Sequence, residues 1–104
     1  MIKTELTVAV SGLKKANNDY GLIGICDLVF SGLFAVRCVR IQCKNGHTML
    51  RFPFRLTEDK LDHQTRLLDV CHPLTGEFRK ELTELVGQEW QKKFGQPMGP
   101  EPEN

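Results

Sequence analysis

The chain has 104 residues, 40% of them apolar, with 14 Lys and Arg against 13 Asp and Glu. That is enough for one domain with its own core, too little for two, and unlike the composition of a disordered or fibrous chain. Charge interrupts every apolar run, which excludes a membrane span, and the opening MIKTELTV has no apolar stretch of a secretory signal, so the expected compartment is the cytoplasm.

From Thr4 to Leu13, Leu6, Val8 and Val10 alternate with Thr7, Ala9 and Ser11. This period of two predicts a half-buried strand. The polar stretch from Lys14 to Tyr20 is a turn by composition. Leu22 to Phe30 is an apolar run bounded by Gly21 and Ser31-Gly32, a second strand leading into a hairpin. A third strand is expected from Leu33 to Cys43. Its apolar residues change parity, from Phe34 and Val36 to Val39, Ile41 and Cys43, which predicts a bulge near Arg37–Cys38 or a strand covered on both faces over part of its length. Asn45-Gly46 is a strong hairpin signal. The fourth strand, Thr48 to Phe54, places Leu50, Phe52 and Phe54 together on the buried side, leaves Arg51 and Arg55 wet, and ends at or beyond Pro53.

Residues 57–66 read as a charged loop, and Leu67 to Cys71 as a short fifth strand stopped by Pro73. From Thr75 the period changes: Phe78, Leu82, Leu85, Val86, Trp90 and Phe94 share one face of a helix. Thr75 suits the N-cap, Glu77 the first turn, Lys92 and Lys93 the last turn, and Gly95 the position after it. Gly87 in mid-helix goes against propensity by about 1 kcal/mol. The expected fold is α+β: an antiparallel sheet of four to five strands followed by one long C-terminal amphipathic helix. Residues 1–94 form the single domain, and 95–104 a flexible acidic Pro/Gly tail.

The charge is unevenly placed. Residues 1–27 are neutral overall; residues 28–57 hold Arg37, Arg40, Lys44, Arg51 and Arg55 with no acid, a local +5; residues 58–104 hold ten acids against six bases. A basic stripe on a sheet suits a polyanion, although long Arg stems also serve to cover apolar surface. The four cysteines form no Cys-x-x-Cys pair, and Cys38 and Cys43 fall on opposite faces of one strand, so a Cys38–Cys43–His47 metal site is not expected. Asp69, Cys71 and His72 adjoin, but neighbouring strand residues diverge, so His72-Pro73 reads as a structural joint rather than part of a catalytic pair. No phosphate-binding Gly-rich loop is present. No enzyme activity, no cofactor and no metal are expected.

In order along the chain, FAVRCVRI (Phe34–Ile41), the Asn45-Gly46 turn, MLRFPFRLT (Met49–Thr57) and LDVCHPLTGEFRKELTELVGQEW (Leu68–Trp90) together resemble the SpoVG (stage V sporulation protein G, septation) family. Arg40, Ile41, Pro53, Arg55, Thr57, Asp69, Val70, His72, Pro73 and Arg79 carry the match, which covers about residues 4–94. The resemblance implies a small homodimeric regulator of the bacterial cytoplasm that binds DNA or RNA without catalysis. It nominates Arg55, and less directly Arg51, as nucleic-acid contacts. Leu56 stands where that family usually has a second base, Phe54 replaces a small polar residue, and the loop after them is longer and more acidic. The expected nucleic-acid-binding residues are therefore Arg37, Arg40, Lys44, Arg51 and Arg55. The alternative is a protein–protein interaction module in which the stripe is incidental and a partner protein docks on the sheet or the 57–66 loop.

Overall fold

A computed structural model of the chain describes residues 5–18 and 20–99. Strands β1 (Val8–Lys15), β2 (Leu22–Phe30), β3 (Phe34–Lys44) and β4 (His47–Arg51) form an antiparallel meander in sequence order. A second, two-stranded sheet pairs β5 (Phe54–Glu58) with β6 (Thr65–Asp69), and the helix α1 (Gly76–Phe94) follows. This is the expected α+β fold, with six strands divided between two sheets. Thr4 and Asp19, which the strand and turn readings included, lie outside the described residues.

The predicted irregularity in β3 has a specific form. Cys26 pairs with Val39 but Leu28 pairs with Val36, so Asp27 faces two residues of β3. Cys38 takes the extra position with φ of 59°, in the left-handed region, and its N–H donates to Asp27 Oδ1 at 3.0 Å. The side-chain bond supplies what the interrupted ladder cannot. The result is that Val36 and Val39 both reach the covered face: Val39 is fully buried, and Val36 packs against the core. At the next hairpin Asn45 and Gly46 both have positive φ, as a two-residue turn between twisted strands requires.

The helix lies across one face of the four-stranded sheet. Leu82, Val86 and Trp90 are buried against Leu13, Cys26, Leu28, Val39, Ile41, Leu50 and Phe52. Each large side chain removed from water contributes about 2 kcal/mol. Both helix ends are closed as the sequence predicts. The Thr75 hydroxyl accepts the Phe78 N–H at 3.1 Å, and Gly95, in the left-handed region, donates its N–H to the Gln91 carbonyl at 2.8 Å. Two basic side chains tie the helix to the sheet. Arg79 Nη1 donates to the Leu50 carbonyl at 3.1 Å with its guanidinium 5.6 Å from the Phe52 ring centre, and Lys93 donates to the Leu13 carbonyl.

After Gly95, Met98 turns back and packs against the core; residues 100–104 lie outside the described residues. Met98 also accounts for the surroundings of Gly87. A Cβ added there would lie 3.5 Å from Met98 Cε, an ordinary contact, so no close approach demands glycine. Gly87→Ala is expected to raise stability by about 0.5–1 kcal/mol through helix propensity and reduced freedom of the unfolded chain. Thermal unfolding followed by circular dichroism checks this; a lower midpoint would mean that the Met98 contact does not tolerate the methyl group.

The region after β4 departs from expectation. Residues 52 and 53 belong to no strand, and the β3–β4 ladder ends at the Arg40–Arg51 pair. Pro53 has no N–H to continue it. The chain changes partners there: β5 pairs with β6 in register from Phe54–Asp69 to Glu58–Thr65, and the Val70 N–H donates to the Pro53 carbonyl at 2.9 Å. Much of what reads as a charged loop over 57–66 is therefore the tip of a hairpin. There Asp62 accepts from Arg66 at 2.6 Å, and Asp59 pairs with the same guanidinium at 3.5 Å.

Candidate nucleic-acid interface

Strand alternation gives the sheet a second face, turned away from α1. The β2–β3–β4 register places Arg40 between Ile25 and Arg51 across the sheet, Gln42 beside Met49, and Lys44 beside His47. Arg40, Gln42 and Lys44 share the open face by their spacing of two, as do Arg51, Met49 and His47 opposite them. Arg40 and Lys44 are exposed, Arg51 is half-buried, and Met49 retains 46% of its surface.

Arg40 and Arg51 are directly opposed across β3 and β4. Like charges in that position destabilise a sheet by about 0.2–1 kcal/mol. Neither is paired with an acid among the described residues, where the ion pairs involve only Glu58–His63, Arg66 with Asp59 and Asp62, and Glu89–Lys92. What holds the two guanidinium groups is an aromatic ring. Phe54 lies with its centre 5.3 Å from the Arg40 guanidinium carbon and 4.9 Å from that of Arg51. Each such contact is worth about 0.5–1 kcal/mol where water has access.

This corrects the expected placement of Phe54. Phe52 is in the core with 6% of its surface exposed, as its spacing from Leu50 predicts. Phe54, two residues on, has left it. The break at Pro53 ends the period of two, so the two aromatics go to opposite sides: Phe52 beneath Arg79, Phe54 among the open-face arginines.

The five predicted basic residues are not one cluster. Arg40, Arg51 and Lys44 share the open face. Arg37 is exposed at the β3 bulge, where it lines a cavity of about 240 Å³ with Lys14, Asp27 and Cys38. Arg55 is exposed on β5 opposite Leu68, on the face of the β5–β6 ribbon turned away from Phe54. The ribbon also exposes Leu56, Leu67, Leu68 and Val70. None of this exposure is foreseeable from a reading of 57–66 as a loop.

Three further features bear on chemistry. No three His, Cys, Asp or Glu residues lie together as a metal would require among the described residues. Burial, reinforced by the Asp27 carboxylate, pushes the Cys26 thiol up to about 11, so at neutral pH it stays a protonated core group. His72 Nδ1 lies 3.0 Å from the Pro73 carbonyl oxygen, while Cys71 packs against the core. On the helix side, a groove of about 330 Å³ runs between Phe30, Phe34, Phe52, Phe78, Cys71 and Leu82, and its lining is largely apolar.

No helix among the described residues is long and apolar enough to cross a membrane. Compared with protein-family models and with curated proteins, the chain matches none.

Proposed function

We propose that this chain is a non-enzymatic nucleic-acid-binding regulatory protein, acting on DNA or RNA as a small dimer in the manner of the SpoVG family it resembles. The observation that carries the reading is the Arg40–Arg51 pair: two like charges face each other on an open sheet, unpaired with any acid among the described residues and held by one aromatic ring. Such an arrangement costs stability in the free protein and repays it when a polyanion binds. A guanidinium fork suits phosphate oxygens, and a dimer doubles the local +5 of residues 28–57 to +10. A second copy would also cover exposed Leu56, Leu67, Leu68 and Val70, since a lone two-stranded ribbon is marginal in water. A reducing compartment such as the cytoplasm suits the four free cysteines.

Binding of this kind works through the phosphate backbone, by release of condensed counterions, and discriminates little between sequences. With about four phosphates neutralised on duplex DNA, log K falls against log salt with a slope near −3 to −4. Fluorescence anisotropy across a salt series measures it, and a flat response overturns the reading.

The aromatic-lined groove favours a second reading, a protein-interaction module. Under it, the Arg51→Glu/Arg55→Glu variant retains its partner protein at unchanged affinity; under the nucleic-acid reading the same variant loses its ligand.

A further inference from the structure

We infer that the ligand of the open face is a single strand, with an unpaired base stacked at Phe54; the inference rests on the nucleic-acid reading above and narrows it. Phosphates are met by Arg40, Arg51 and Lys44; the ring that holds the two guanidinium groups recognises no phosphate itself. Yet the two guanidinium groups lie within 5.3 Å of the Phe54 ring centre, and both aromatic rings and guanidinium planes are surfaces on which unpaired bases stack. Beside them, Cys38, Arg40, Phe52, Pro53 and Phe54 line a cavity of about 130 Å³. That volume is close to the roughly 150 Å³ of a cavity that takes up one benzene ring.

The shape of the face points the same way. A major groove about 12 Å wide admits a helix or a two-stranded ribbon, whereas four strands about 4.8 Å apart span roughly 14 Å before side chains are added. The open face therefore meets a duplex only at its phosphates. The β5–β6 ribbon is narrow enough for the groove, but it carries Glu58, Asp59 and Asp62 at its tip and exposed Leu56 and Leu67 along it. A single strand, by contrast, lays its phosphates along the arginine rows and its bases over Met49, Ile25 and Phe54.

Anisotropy titrations at one salt concentration, with an oligothymidylate of about 12 nucleotides and a mixed-sequence duplex of equal length, test the inference. The strand is expected to bind at least about tenfold more tightly. Phe54→Leu is expected to weaken strand binding about tenfold, the value of one stacked base, and to leave the salt slope and duplex binding unchanged. That pattern separates stacking from mere positioning of the arginines, whose disturbance would lower the slope and duplex affinity together. Phe54→Trp retains strand affinity, and its emission is quenched on titration. Equal or tighter duplex binding, or an unaltered Phe54→Leu, overturns the single-strand inference and leaves the nucleic-acid reading standing. Failure of both ligands, and of an oligouridylate of the same length, to bind at any salt concentration overturns that reading itself.

Discussion

Gly24→Ala is expected to destabilise the fold by about 2–3 kcal/mol, at the upper end of what overpacking a core costs. Gly24 is buried near the start of β2, where Trp90 of the helix packs on the sheet. An added Cβ would lie 2.6 Å from Trp90 Cζ3 and 2.9 Å from the Lys14 carbonyl oxygen. The second of these is backbone, held in the paired β1 ladder, and cannot move away cheaply. The first belongs to a side chain with only 4% of its surface exposed, set edge-on to Phe94 with ring centres 4.7 Å apart. The methyl group therefore pushes the helix off the sheet, or Trp90 out of its rotamer. For a domain of this size the midpoint falls by roughly 10–20 °C. Trp90→Phe removes the carbon that clashes, and with it an indole N–H that is buried without an acceptor among the described residues. In a double-mutant cycle the pair is expected to cost less than the sum of the singles, with a coupling of about 1 kcal/mol. Strict additivity would mean that the Lys14 carbonyl, not the indole, limits the space.

Glycine at this position could not be read from the chain, because nothing local marks Gly24 as the point where a tryptophan 66 positions later comes to rest. The elements whose determinants are local were legible. The limits of β2 follow from Gly21 and Ser31-Gly32, those of α1 from Thr75 and Gly95, and the bulge at Cys38 from a parity change within one strand. Where the decisive term was a choice of partner, local pattern fell short. Thr57 and Glu58 look like loop residues until β6 is placed beside them. The site divides along the same line. Alternation alone shows that Arg51 is not in the core, but that it lies opposite Arg40 depends on the register of the β3–β4 hairpin. Phe54 was misplaced for a related reason: its spacing from Phe52 is a strand spacing, and Pro53 ended the strand between them.

Arg51→Glu is expected to separate binding from folding, and to move them in opposite directions. In the native protein, Arg51 faces Arg40 across the sheet with no acid among the described residues to offset either. A glutamate there turns a repulsive cross-strand pair into an attractive one, so stability is expected to rise by about 0.5–1 kcal/mol despite the loss of the contact with Phe54. If the open face binds nucleic acid as proposed, affinity is expected to fall at the same time, because one cation leaves that face and the new carboxylate neutralises its neighbour. The double reversal, Arg40→Glu/Arg51→Glu, restores a like-charge pair of the opposite sign. Its stability is expected to fall about 1–2 kcal/mol below the starting value, since both guanidinium contacts with Phe54 are gone, while affinity drops by more than about 100-fold and the salt slope shrinks by about 2, one for each phosphate contact removed. Arg55→Glu alters a residue on the ribbon, away from Phe54, and is expected to cost less than about tenfold. Unfolding midpoints and anisotropy titrations on the same samples read both quantities. If Arg51→Glu lowered stability and affinity together, the pair would be a structural feature of the sheet; a gain in one with a loss in the other identifies a charge arrangement kept at the expense of stability for the sake of its ligand.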